Sequence, residues 1–346
     1  MFSIKPLVHF NRCGQYQFYL PNGVALLSDG NIVIADGGNN LIHLMTAEGE
    51  QAKSIGGTGV GKYRFKEPVG IFVSPSDLVY VADWHNHRVV IFDRNLSYLD
   101  EFGHYGEHNS RIGRIEFVKV LMRFIKQTGS RGCYIPLHFA DNTIHSRDKV
   151  DLKMLLSGLL YWFKRYPFLI GILKDSEHAL NKPNGVAFLR NNVIVVAEKN
   201  ARCLSFYENT PPYKLLKRCY GPDGKKQFGR LGNVTSDRTG DTIFVCDEHN
   251  HVVYHLDYEG LKLREIKGRD SGRGEFLPFS ASSIGDRLLC VCGGFNFQVI
   301  DIYSSTVVYC SDNLGELHGI SVDNERKRIY VCDRSNGLIR VYKYSF

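Results

Sequence analysis

The sequence predicts an all-β fold: a six-bladed β-propeller of four-stranded blades, taking in residues 1–346 as a single domain. Three observations predict it: a unit that recurs six times, a spacing of 47 positions between equivalent glycines (Gly23 to Gly70, Gly185 to Gly232), and strand-and-turn chemistry throughout. That period belongs to propeller blades rather than helical solenoids. Short β-branched and aromatic runs separated by Gly, Asp and Asn are what small antiparallel sheets require.

The first unit reads PNGVALLSDGNIVIADGGNNLIHLM from Pro21 and the second PVGIFVSPSDLVYVADWHNHRVVIF from Pro68. A third starts at Pro183 and a fourth at Leu231, and two degenerate copies follow from Phe279 and Leu317. The sixth unit supplies only three strands. Ser3 to Phe10 has the character of the missing outer strand and precedes a linker at Cys13–Phe18, so the N-terminal strand is expected to close the last blade. Closure of this kind leaves no open sheet edge at either end of the array.

A Pro-x-Gly-Val start, an apolar strand ending in Asp and an Asn three positions on together resemble the NHL repeat family, in particular the C-terminal propeller of TRIM-NHL proteins. The resemblance covers nearly all of the chain outside residues 118–178. It implies a scaffold that binds protein or RNA in a ubiquitin or post-transcriptional regulation context. Such propellers often follow RING, B-box and coiled-coil segments; none precedes the first repeat, so ubiquitin-ligase activity is not expected of this chain itself.

Asp36, Asp83, Asp247 and Asp333 end the second strands, each with an Asn three positions later, while Glu198 and Gly293 depart from the pattern. A residue repeated in most blades points to turn chemistry rather than to one catalytic centre. Gly56 to Lys62 nearly spells a phosphate-binding loop, but Tyr63 stands where Ser or Thr should follow and no helix is expected, so no nucleotide cofactor is predicted.

With 43% hydrophobic and 23% charged residues, the chain can bury a large core. The N-terminus has no secretory signal pattern, and nine cysteines without framework spacing favour a reducing, cytoplasmic setting. Cys246, Cys290, Cys292 and Cys332 fall in strand-like runs that suit a core. Of the net charge of +7, a surplus of five lies in residues 118–178, which leaves the propeller nearly neutral.

Residues 118–178 interrupt the repeats, since Gly70 to Gly185 spans 115 positions, 68 more than one period. Ile115 to Gln127 has an amphipathic helical pattern, so the insertion between blades two and three is expected to be partly helical. Its most apolar stretch is broken by Lys164, Arg165 and Pro167, and no transmembrane span is expected. A helical cap, a contact with a partner or membrane surface, a poorly ordered stretch and an unspliced intron all fit it.

The loops between second and third strands and the linkers between blades should open on one face. That face gathers the candidate ligand-binding residues Lys62, Tyr63, Arg64, Trp84, His85, His87, Lys225, Lys226, Arg230 and His249. Cations can follow phosphates and aromatic rings can stack on unpaired bases, while Glu67, Asp223, Asp270 and Glu275 dilute the positive field. The expected function is non-catalytic binding of a protein or single-stranded RNA, not DNA, by a monomeric propeller. Catalytic and metal-binding residues are not expected. The His85/His87 and His249/His251 pairs could each offer imidazoles to zinc, but they sit in blades that are not neighbours. A zinc-dependent propeller enzyme resembling the peptidylglycine lyase is the alternative.

Overall fold

The structure, a computed structural model, describes residues 2–105, 179–223, 226–272 and 274–346. The insertion 118–178, its helical reading included, and Lys225 lie outside the described residues.

Six four-stranded antiparallel sheets form, each running from an inner to an outer strand. Blade one is Pro21–Leu26, Ile32–Asp36, Leu41–Met45 and Gln51–Gly56; blade two is Pro68–Val73, Val79–Asp83, Arg88–Phe92 and Tyr98–Phe102. Blade three comprises Pro183–Leu189, Val193–Glu198, Cys203–Glu208 and Leu215–Cys219, and blade four Leu231–Ser236, Thr242–Asp247, Val252–Asp257 and Lys262–Ile266. Blade five is Ser280–Ile284, Leu288–Gly293, Asn296–Asp301 and Val307–Cys310. Blade six takes Leu317–Asp323, Arg328–Asp333 and Leu338–Ser345 from the C-terminus and its outer strand, Ser3–Phe10, from the N-terminus. The closing pair runs antiparallel from Ser3 opposite Ser345 to Phe10 opposite Ile339, as the sequence predicts. Pro6 is tolerated there because an outermost strand has a free edge.

The second strands are buried on both faces, which is why they read as unbroken apolar runs instead of alternating ones. In blade one, Val33 and Ala35 pack toward blade two while Ile32 and Ile34 pack toward blade six. Each gap between adjacent blades holds one apolar cluster, and each cluster receives a side chain from the incoming linker: Phe18, Phe65, Leu180, Phe228, Phe276 or Leu314. These six plugs tie the linkers to the core; the repeat alignment did not single them out.

Inner strands approach closely around the central channel. A Cβ on Gly70 would lie 2.3 Å from the Asn184 carbonyl oxygen of the next blade, so only glycine fits. One correction concerns register. Leu231 pairs with Asp247 as Pro183 pairs with Glu198, so Gly232 takes the place of Asn184 and Asn233 that of Gly185. The third-to-fourth period is therefore 48 positions, because blade four carries its channel residue one place later than the glycine match implied.

The linker between blades two and three is built from both sides of the insertion. His104–Tyr105 pairs in parallel with Ala179–Leu180, which brings the two flanks together before Leu180 plugs the gap. Cys246, Cys292 and Cys332 occupy the position held by Ala35, Ala82 and Ala197 in the other blades, and all are buried with free thiols. Burial pushes these thiols up from their ordinary pKa, as expected of core packing groups.

Candidate functional site

The repeated acids are fully buried and act as fasteners. The Tyr19 N–H donates to Asp36 Oδ1 at 2.9 Å and the Lys66 N–H to Asp83 Oδ1 at 2.9 Å. Likewise the Asn181 N–H donates to Glu198 Oε2 at 2.6 Å and the Gly229 N–H to Asp247 Oδ2 at 2.8 Å. Each donor lies two residues before its inner strand, so the carboxylate pins the linker onto its own blade. The Asn three positions on closes the local turn, as Asn39 does on Asp36 at 2.7 Å and Asn86 on Asp83 at 2.8 Å. Burial pushes the Asp83 and Glu198 carboxyls up, opposed by these hydrogen bonds and by Arg88 and Arg218 respectively. The acids thus do more than cap turns, but the role is structural in every blade that carries one.

In blades one, two, three and six the third strand supplies a further partner for the acid. In blade one, His43 Nε2 lies 3.3 Å from Asp36 and its Nδ1 2.7 Å from Ser54 Oγ. The third-strand contact to the acid recurs as Ser205 on Glu198 and as Arg340 Nε on Asp333 at 2.7 Å, and His43 is fully buried. Its recurrence marks it as part of the fastening. In blade two, Arg88 Nε reaches Asp83 at 2.9 Å while Nη2 donates to the carbonyls of Gly61 and Arg64 at 2.9 and 2.6 Å. The Gly-rich linker therefore offers carbonyl oxygens to a buried cation, the opposite polarity to a phosphate cradle.

The predicted site residues fall into three groups. Lys62, Tyr63 and Lys226 fold outward. The Lys62 ammonium lies 5.0 Å from the centre of the Tyr98 ring, and the Tyr98 N–H donates to the Tyr63 hydroxyl at 3.0 Å. Lys226 lies 5.6 Å over Tyr254 and 3.8 Å from Glu265. Arg64 folds back toward the Gly56 carbonyl at 3.4 Å.

A second group fastens the linkers. His87 and His251 hold equivalent places and set Nδ1 at 3.2 and 3.0 Å from the carbonyls of the plugs Leu180 and Phe276. Burial pushes the His87 imidazole down from its ordinary pKa. The two histidines of each pair diverge, since His85 is exposed and meets Glu67 at 3.3 Å, and His249 is also exposed. Among the described residues no three His, Cys, Asp or Glu side chains are grouped as a metal ion would need.

The third group rims the channel mouth. Lys182 sits 4.0 Å over Trp84, whose indole Nε1 is buried without an acceptor, so one ring face is already covered. Arg230 and Lys199 share Glu248 at 4.0 and 3.1 Å. Arg334 meets Asn22 at 3.1 Å, Glu67 at 3.7 Å and Glu316 at 3.8 Å.

A concavity of this face lies over blade one, a depression of about 590 Å³ lined by Tyr19, Leu20, Gly37, Gly38, Asn40, Thr58, Lys66, Glu67, His85 and Arg334. Of the candidate ligand-binding residues it contains His85 alone. Blade one has Gly37 where blades two, three, four and six have Trp84, Lys199, Glu248 and Arg334 and blade five has Gly294; Asn22 Nδ2 and Tyr19 Cδ1 lie 2.0 and 2.4 Å from where Cβ atoms of Gly37 and Gly38 would stand. Tyr19, the exposed aromatic beside it, follows a plug residue and precedes Pro21, and no single-residue motif marks it.

With this geometry, the comparisons with known proteins are informative about fold. The NHL repeat family model matches residues 18–43 and 65–92, so the chain carries NHL repeats. A stretch of 58 residues, 17% of this chain, is 36% identical to Protein brain tumor of Drosophila melanogaster and spans 6% of that protein's length. The solved structure titled "Streptogramin B lyase structure" superposes with a TM-score of 0.56 over 99% of this chain and 98% of that one, at 10% identity. Likeness at that identity is one of architecture. Among the described residues, no helix is long and apolar enough to cross a membrane.

Proposed function

We propose that this propeller is a non-catalytic scaffold whose loop-rich face binds a protein segment. One observation carries the reading: the cations of that face are largely matched within the molecule, Arg334 by Glu67 and Glu316, Lys199 and Arg230 by Glu248, Lys182 by the Trp84 ring. A nucleic-acid backbone is held by a track of cations that release counterions, whereas interleaved charges around an apolar patch suit the rim of a protein interface. The scaffold works by recruiting its partner, in keeping with the TRIM-NHL resemblance, as a monomer in the cytoplasm. The free thiols of Cys246, Cys292 and Cys332 support the reducing compartment.

The test is a fluorescence titration of labelled oligouridine RNA at rising salt. The scaffold reading expects no saturable binding at about 150 mM salt. Saturable binding whose affinity falls steeply on a log–log salt plot, with a slope of several units, supports single-stranded RNA instead.

A further inference from the structure

We propose that the depression over blade one is a pocket for an acidic peptide side chain, with the apolar neighbour of that residue resting on Tyr19 and Leu20. The inference rests on the scaffold reading and names the chemistry of the partner. The lining has three basic side chains, Lys66, His85 and Arg334, against one carboxylate, Glu67. Glu67 lies between two of them, 3.3 Å from His85 and 3.7 Å from Arg334, and Arg334 also meets Glu316 at 3.8 Å, so Arg334 is matched and the surplus rests on Lys66. Lys66 is exposed and makes no ion pair among the described residues, which leaves a cation available to an incoming carboxylate.

The apolar side of the pocket is presented by a fixed backbone. Tyr19 is 59% exposed, yet its N–H donates to Asp36 and its carbonyl accepts the Gly38 N–H at 2.9 Å. Leu20 and Glu67 both hold the left-handed conformation at φ 52°, and the Glu67 N–H is bonded to Asn40 Oδ1 at 2.7 Å. With its backbone fixed and its Cδ1 lying 2.4 Å from where a Gly38 Cβ would stand, the ring rests against the turn and is placed to act as an anchor. The volume falls in the range of about 300–1,000 Å³ usual for sites that enclose a small group.

A single carboxylate suits the pocket better than a polyanion. Other cations of this face are engaged, Lys182 on Trp84 and Lys199 on Glu248, which leaves fewer charges to take up a second or third phosphate.

The experiment compares two pools of fluorescein-labelled heptapeptides, one with Glu and one with Lys beside random Phe, Leu or Tyr. They are titrated into the full chain and into the variants Lys66→Glu, Tyr19→Ala and Lys226→Glu. All three alter exposed side chains, and thermal melting verifies their folding. The acidic pool should bind the wild type, lose about tenfold in affinity to Lys66→Glu and about fivefold to Tyr19→Ala, and change less than about twofold with Lys226→Glu. Equal or better binding of the basic pool, or a Lys66→Glu variant that binds as well as wild type, overturns the pocket. So does the failure of both pools to bind. Acidic-pool binding weakened only by Lys226→Glu would overturn the pocket while leaving the scaffold reading in place. Displacement of the acidic pool by oligouridine at matching affinity would overturn both.

Discussion

Blade one and blade five solve one problem in different ways. In blade one, Asp36 holds the incoming linker through the Tyr19 N–H, and Asn22 joins its inner strand to the Pro68 carbonyl of the next blade at 3.2 Å. In blade five the acid is replaced by Gly293, where a Cβ would stand 1.7 Å from the Leu277 carbonyl oxygen, and the linker is instead held by Gln298. The Gln298 Oε1 accepts the Arg269 N–H at 2.8 Å and its Nε2 donates to the Arg269 carbonyl at 2.9 Å. Phe279 takes the place of Asn22 and stacks on His318 with ring centres 3.8 Å apart. The Leu277 N–H, which follows the plug as that of Tyr19 does, donates to Ser271 Oγ at 3.2 Å, so neutral groups divide the work of the carboxylate. The repeated acid is a fastener, and what distinguishes blade one is that Gly37 and Gly38 border a depression with Tyr19 beside them, where blade five has Gly294 and Phe295.

The comparison is most sharply tested by forcing blade five back to the consensus. Gly293→Asp should cost at least about 3 kcal/mol, because the new Cβ meets backbone that cannot move aside. Chemical denaturation reads this directly, and a neutral substitution would show that blade five tolerates either fastener. Next in size, Asp36→Ala strands the Tyr19 N–H and the His43 ring in a buried site and should cost about 2–4 kcal/mol. Gln298→Ala removes neutral hydrogen bonds and should cost about 1–2 kcal/mol. Equal losses would mean that charge contributes nothing to the fastening.

The smallest effect concerns pH at the channel mouth. Burial, then Arg334 and Lys199, push the His318 imidazole well below its ordinary pKa. The unfolded chain takes up that proton near about pH 6.5 while the native ring stays neutral, so stability is lost as pH falls below that value. His318→Asn, which installs the residue found at positions 22 and 184, should flatten the decline in melting temperature between about pH 7 and 5.5. Parallel declines would contradict the assignment; His87 and His255 are present in both proteins and cancel.

Much of the fold was legible because its signals are local. Repeat length, the strand runs and the outer-strand character of Ser3 to Phe10 can each be read within one unit, and the closure of blade six follows. The fastening was only half legible. Asp36 and Asn39 stand in one motif, but the donors Tyr19, Lys66 and Asn181 lie 17 positions upstream and act through backbone N–H groups that any residue has. Lys62 and Tyr63 read as exposed linker residues, yet the Tyr98 ring draws both onto the outer strand of blade two. The depression was not legible because its lining is scattered along the chain: Tyr19, Glu67, His85 and Arg334 meet only in the folded ring, and Gly37 and Gly38 read as turn residues.

The most direct test of the central claim replaces Tyr19 with a photo-crosslinking phenylalanine analogue, with a second probe at Tyr303, which is 61% exposed in the turn between the third and fourth strands of blade five. Both are irradiated with the same acidic-peptide pool, in the presence or absence of oligouridine. The account predicts peptide crosslinks at position 19, suppressed by Lys66→Glu and unaffected by RNA, with none above background at position 303. Equal labelling at the two positions, or a position-19 crosslink that forms to RNA instead, would contradict it.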